Sequence, residues 1–199
     1  MIKKFFQKIK PKKPHNNYAF IDSQNLNLAI NALGWKLDFR KLRVYLKEKF
    51  NVEKAFLFIG FVEGNEPMYK SLTENGYELI YKPTLERDGI VKGNCDAELV
   101  LQTMIELNNY EKAVIISGDG DFYCLYEYLD KHNKLFKIGI PNKRGYSSLI
   151  RKYAHYFFYV SDLRKIMNYG FRGGKNRKNK NGEHPIGDRN PNVAHHRDR

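Results

Sequence analysis

The segment Lys54–Phe61, KAFLFIGF, is apolar at nearly every position. A strand with one face in water would alternate instead, so this one is covered on both sides, the habit of parallel sheets flanked by helices. Five further runs have the same character, namely Tyr18–Asp22, Tyr77–Tyr81, Ala113–Ser117, Phe136–Ile140 and Tyr156–Val160. Between them apolar residues recur at helical spacing. Leu26, Ile30 and Leu33 make one stripe, and Phe39, Leu42, Leu46 and Phe50 another. Leu99, Thr103 and Leu107 make a third, and Leu125 and Leu129 begin a fourth. This alternation predicts an α/β fold, a three-layer α/β/α sandwich around a mainly parallel, Rossmann-like central sheet. No internal repeat interrupts it.

The two ends read differently from the body. Residues 1–14 carry six lysines and no acid, and residues 172–199 carry eight Lys/Arg against Glu183, Asp188 and Asp198. Only +2 of the net +13 is left for the middle. The expected organisation is a basic tail over 1–14, one domain over 15–169, and a basic, disordered tail over 170–199 that includes His195 and His196. Ile2, Phe5, Phe6 and Ile9 among the lysines could form a short basic amphipathic helix. Basic arms gain affinity for nucleic-acid phosphates by releasing counterions. No apolar run reaches the ~20 residues of a membrane span, and the N-terminus lacks the h-region of a signal peptide. Cys95 and Cys124 are too few for a disulfide framework, so a reducing cytoplasm is the expected setting.

Four aspartates stand where apolar runs give out: Asp22 in YAFIDSQN, Asp96 in KGNCDAEL, and Asp119 and Asp121 in IISGDGDF. Ligands of open α/β sheets bind beyond the carboxyl ends of the strands. Asp22 ends the first strand, Asp119 and Asp121 follow the fourth, and Asp96 opens a helix, so all four can converge on one rim. A carboxylate cluster is costly unless a divalent cation neutralises it, and Mg²⁺ or Mn²⁺ favours oxygen ligands. Two such ions can clamp a phosphodiester. Ser117 could orient a carboxylate, and Asn25, one turn beyond Asp22, could bond a ligand. Each aspartate has a structural alternative: Asp22 as a cap near Gln24, Asp96 as a cap near Ala97, Asp119 as a turn residue, and Asp121 as the N-cap of a helix from Phe122. Asp121 is the one most open to that alternative.

The segment Tyr18–Lys165 resembles the NYN domain of the LabA-like group, within the PIN-like nuclease superfamily. FIDSQNL, the Tyr69–Tyr81 stretch ending in NGYELIY, KGNCDAEL, VIISGDGDFYCLYEYL and RGYSSLIRKYAHYFFYVSDL carry the likeness over about three quarters of the chain. The resemblance implies a PIN-like fold and metal-dependent RNA cleavage. Asp22, Asp96, Asp119 and Asp121 fall on the family's acidic positions and Asn25 on its frequent amide. Many relatives carry a further aspartate six residues after the one in KGxD, where this chain has Gln102. A neutral amide can bond an outer-sphere water but adds no charge, so one metal is better founded than two. Asn94-Cys95 stands where many relatives have a single residue, and Cys95 reads as packing, not as a nucleophile.

Residues 82–93 read as a polar loop in which Lys82, Arg87 and Lys92 could hold phosphates. Lys143, Arg144, Ser147 and Ser148 offer a second cradle at a helix start. Tyr123 and Tyr146 are candidates for base stacking. The leading expectation is a Mg²⁺- or Mn²⁺-dependent (endo)ribonuclease acting on single-stranded or structured RNA, with Asp22, Asp96 and Asp119 on the catalytic metal and Asp121 assisting. The alternative is a non-catalytic RNA-binding or regulatory adaptor. An aspartyl-phosphate enzyme would want DxD after the first strand, and DSQN does not supply it. The oligomeric state is not fixed by the sequence, a homo-oligomer being one option.

Overall fold

The computed structural model describes residues 16–83, 85–87, 90–92 and 95–170, with side chains described outside 83–94. The expectations for both basic tails, including His195 and His196, fall outside these residues almost entirely. In chain order the strands are β1 (Asn17–Asp22), β2 (Val52–Phe61), β3 (Glu78–Pro83), β4 (Leu85–Arg87), β5 (Ile90–Lys92), β6 (Ala113–Ile116), β7 (Leu135–Ile140) and β8 (Phe157–Tyr159). The α-helices are α1 (Ser23–Ala32), α2 (Phe39–Phe50), α3 (Glu66–Glu74), α4 (Asp96–Ile105), α5 (Tyr123–Lys131) and α6 (Arg164–Met167). Short 3₁₀ segments cover Gly120–Phe122, Ser148–Tyr156 and Val160–Leu163. No helix among the described residues is long and apolar enough to cross a membrane.

Six strands form one sheet in the order β3-β2-β1-β6-β7-β8, every neighbouring pair parallel. The chain starts in the middle, runs to one edge through β2 and β3, then returns to the other side of β1 with β6. The connections therefore diverge between β1 and β6, and a crevice opens there beyond the strand ends. Strand alternation splits the core into two layers. Phe20, Phe56, Phe58 and Ile115 face Leu99 of α4 and Leu125, Tyr126 and Leu129 of α5. Ala19, Ile21, Leu57, Val114 and Ile116 face Leu26 and Ile30 of α1 and Leu42 and Leu46 of α2. Each fully buried Leu or Phe contributes about 1.5–3 kcal/mol.

The helix ends follow from local chemistry. Asp38 accepts the Lys41 N–H at 3.1 Å and starts α2. Asn51 ends it with φ of 54°, a left-handed conformation that asparagine tolerates better than most residues. From the same helix, Arg43 donates to the carbonyls of Val52, Glu53 and Gly76, holding α2 to the starts of β2 and β3.

Two elements depart from the sequence expectation. Residues 82–93 are not one loop: β3 runs on to Pro83, and β4 and β5 form an antiparallel ribbon with Arg87 opposite Ile90. The short strands are too brief for a periodic signal, although the Asp88-Gly89 dipeptide between them is a common hairpin signature in sequence. Helix α3, with Pro67 near its start, carries no clear periodic signal because its inward stripe is short, with Tyr69 and Leu72 buried.

Candidate metal centre

Asp22 is the last residue of β1 and also the N-cap of α1, its Oδ1 accepting the Asn25 N–H at 3.0 Å. Its other oxygen, Oδ2, accepts from the Ser117 hydroxyl at 3.3 Å. Ser117 is fully buried just past β6, and its Oγ also accepts the Asp119 N–H at 3.2 Å. Asn25 crosses the crevice in the other direction, its Oδ1 accepting the Gly118 N–H at 3.0 Å. Asp119 caps the 3₁₀ turn 120–122 by accepting the Asp121 N–H at 3.0 Å. Strand ends, caps and loop are thus tied into one hydrogen-bonded frame.

This frame brings the four aspartates to one rim. Oxygens of Asp96, Asp119 and Asp121 all lie within 4.8 Å of one another. Asp22 lies deeper and lines a 240 Å³ cleft with Gln24, Asn25, Leu28, Asp96 and Asp119. Burial raises the affinity of the Asp22 carboxyl for its proton, and the nearby Asp96 and Asp119 carboxylates raise it further against the pull of Asn25 N–H and Ser117. Among the described residues no lysine or arginine forms an ion pair with Asp22, Asp119 or Asp121. The donor set fits a hard divalent cation: its ligand atoms are carboxylate oxygens, and 4.8 Å is close to the span across one ion at about 2.1–2.4 Å per bond.

The Asp22 cap is found where the sequence offered it, and the other capping assignments change. Asp121 does not cap α5, whose N-cap is Phe122 without a side-chain bond, and lies exposed inside the 3₁₀ turn. Asp119, expected as a turn residue, and Asp22 are the carboxylates that cap. Asp96 is the first residue of α4, after Cys95 at the N-cap. A cap uses only some lone pairs of a carboxylate, so capping and ligation are compatible here.

The other candidates are spread more widely. Gln102 donates to Glu106 at 3.2 Å, one turn farther from Asp96, so its amide is directed along α4 away from the cluster. Lys82 pairs with Glu98 at 3.3 Å, a neighbour of Asp96 in sequence. Arg87 and Lys92 lie on β4 and β5, and their side chains fall outside the described residues. Lys143 pairs with Asp162 at 3.5 Å and sits over the Tyr159 ring, and Arg144 is exposed beside it. Ser147 donates its N–H to Gly118 O at 3.0 Å and caps the segment beginning at Ser148. It therefore buttresses the aspartate loop. Tyr146 meets the Phe157 ring at near right angles and is half-buried, which leaves less of it open to a base, whereas Tyr123 is exposed. Burial pushes the Cys95 thiol up to about 11, in keeping with a packing role.

Sequence reasoning missed Gln24 and Leu28. Leu28 is 63% exposed and falls off the Leu26–Ile30 stripe. An apolar residue on the solvent side of α1, six positions after a site aspartate, was the available signal.

A family model for the NYN domain matches residues 18–162. Among curated proteins, the Low amplitude and bright protein LabA of Synechococcus elongatus is 27% identical over 128 residues, spanning 59% of this chain and 69% of that one. A crystal structure of a Vibrio parahaemolyticus protein of unknown function superposes with a TM-score of 0.65 at 21% identity, covering 80% of this chain and all of that one. The latter likeness is one of fold.

Proposed function

The chain belongs to the NYN domain family, within the PIN-like nuclease superfamily, and from that premise we propose that it is a divalent-metal-dependent ribonuclease. The observation that carries this reading is the convergence of Asp96, Asp119 and Asp121 oxygens within 4.8 Å at the β1–β6 divergence. Asp96, Asp119 and Asp121 would hold Mg²⁺ or Mn²⁺, with Asp22 at the floor of the same cleft. The cation would supply a more acidic water and charge stabilisation at the phosphate. The chain's own part is placement. Ser117 and the Asn25 N–H fix both oxygens of Asp22, so its carboxylate keeps one orientation toward the cleft. The Asp119 cap fixes the turn that presents Asp121. Such preorganisation removes the cost of ordering these groups during reaction. Water is the nucleophile, since neither cysteine is equipped for the role: Cys95 is buried with a raised pKa, and Cys124 lies outside the carboxylate cluster.

The direct test is cleavage of end-labelled single-stranded and hairpin RNA with Mn²⁺, Mg²⁺ or EDTA. Metal-dependent scission by the wild type, and its loss in a folded Asp119→Asn variant, is expected. Cleavage by Asp119→Asn at the wild-type rate would overturn the reading. The direction of Gln102, which leaves α4 with a single carboxylate at the cluster, favours a second reading as an RNA-binding adaptor. An adaptor would bind RNA with steep salt dependence and show no divalent-dependent turnover.

A further inference from the structure

On the same rim as the acidic cleft, three aromatic rings form a compact set. Phe61 ends β2, Tyr81 lies on β3 and Tyr69 rises from α3. Phe61 stacks on Tyr69 with centroids 5.7 Å apart and planes at 26°. Tyr81 stands edge-on to both, at 5.8 Å from Phe61 and 5.2 Å from Tyr69. Tyr69 is buried and anchored, its hydroxyl accepting the Val62 N–H at 2.8 Å. Phe61 and Tyr81 are each 42% exposed. Phe20, Phe56, Phe58 and Phe122 in the core are buried, whereas Phe61 and Tyr81 keep part of each ring at the surface, and that placement invites a functional reason.

Their surroundings supply one. The trio and Glu66 line a concavity of 470 Å³. Tyr69 also lines a neighbouring groove of 350 Å³ together with Gln24, Leu28, Val62 and Met68. Gln24 and Leu28 in turn line the acidic cleft. The three concavities thus lie in series on this rim, sharing Gln24, Leu28 and Tyr69 as walls, from the aspartates across the start of α1 to the rings. Tyr81 stands two strands from β1, roughly 10 Å at about 4.8 Å per strand. Among the described residues, the concavity at the rings is lined by Phe61, Tyr69, Tyr81 and one acid, Glu66, which accepts the Gly64 N–H at 3.1 Å; the groove between mixes Leu28, Val62 and Met68 with neutral polar side chains such as Gln24 and Asn65. Such a lining suits the faces of unpaired bases and not a phosphate backbone.

We propose that Phe61 and Tyr81, braced by Tyr69, form a stacking platform that seats unpaired bases of single-stranded RNA whose backbone enters the acidic cleft. This rests on the ribonuclease reading for the identity of the strand and adds a binding subsite to it. The selected substrate is single-stranded, since bases in a duplex offer no free face. Stacking is tolerant of base identity, so the subsite favours unpaired segments over any one sequence.

The test measures binding, with cleavage read separately. A fluorescein-labelled oligoadenylate of about ten nucleotides is titrated into the full chain in EDTA at 0.15 M salt, beside a duplex RNA of equal length. Phe61→Ala and Tyr81→Ala are each expected to weaken single-strand binding about 5-fold or more and to leave duplex binding within twofold. Phe61→Leu keeps the bulk without the π face and is expected to lose the same affinity, while Phe61→Trp and Tyr81→Phe retain it. A 2-aminopurine base in the strand should be quenched by the wild type and not by the double alanine variant. Single-strand affinity unchanged within twofold in Phe61→Leu and the double variant would overturn the proposal. So would a wild-type dimer that the variants convert to monomer without a loss of binding, since the rings would then be a self-association surface. Ring-dependent binding without any Mn²⁺-dependent scission would sink the ribonuclease reading and leave the platform standing.

Discussion

Asp119→Asn should move the stability of the protein in opposite directions with and without metal. Asparagine keeps the oxygen that accepts the Asp121 N–H, and it caps as well as aspartate does, so the 3₁₀ turn survives. What is lost is one charge among three whose oxygens lie within 4.8 Å. Each such repulsion is about 0.9 kcal/mol in a water-like dielectric and about 3.5 kcal/mol at an effective dielectric of 20. Asp121 is exposed, so the lower figure governs. Removing two pairs then stabilises the metal-free protein by roughly 1–2 kcal/mol, about 2–8 °C in Tm for a chain of this size. With Mn²⁺ at a hundred times its dissociation constant the wild type gains about 2.7 kcal/mol and the variant little of it. Differential scanning calorimetry in EDTA and in Mn²⁺ should therefore show the two melting points exchange order. High salt should narrow the gap in EDTA. A variant that melts lower than wild type in EDTA, or keeps the full Mn²⁺ shift, refutes the argument that these carboxylates form one electrostatic unit.

Three further outcomes are expected. A Cβ on Gly120 would lie 2.8 Å from Ser147 Cβ and closer still to Ser147 Oγ, so Gly120→Ala should cost about 1–3 kcal/mol in urea melts; no loss of stability would show that the two loops do not pack as described. The folded pKa of Asp22 lies above its ordinary 3.8, so the folded chain keeps a proton that the unfolded chain has already released. Stability therefore falls as pH rises through that window. Asp22→Asn should gain on the wild type in EDTA as pH rises above 3.8, and a constant gap would contradict the raised affinity. Exposed Cys124 should react with a maleimide well before Cys95, whose thiol is buried and pushed up to about 11; equal rates would contradict that burial.

The parallel core was legible because its strands are apolar on both faces, and KAFLFIGF differs from the observed β2 only in starting two residues late. The four aspartates were legible because strand ends and helix starts are marked by chemistry, not by periodicity. Which carboxylate of SGDGDF caps was not legible, since that segment fits either choice until the 3₁₀ turn is seen. The β4–β5 ribbon and α3 escaped because segments of three residues, or a helix with two buried positions, carry too little pattern. The pairing of Lys82 with Glu98 and the turn of Gln102 toward Glu106 are matters of side-chain direction, which spacing in sequence does not encode.

The bond between Asn25 and Gly118 joins residues 93 apart along the chain. Contacts of such separation close late in folding, because a long loop must be ordered first. During synthesis Asp22 leaves the ribosome long before Asp119 exists to meet it. The acidic site is therefore a record of assembly as far as β6 and the turn after it: a chain stalled before β6 has its first aspartate but no cleft, and whatever the finished site does is withheld from any chain that short.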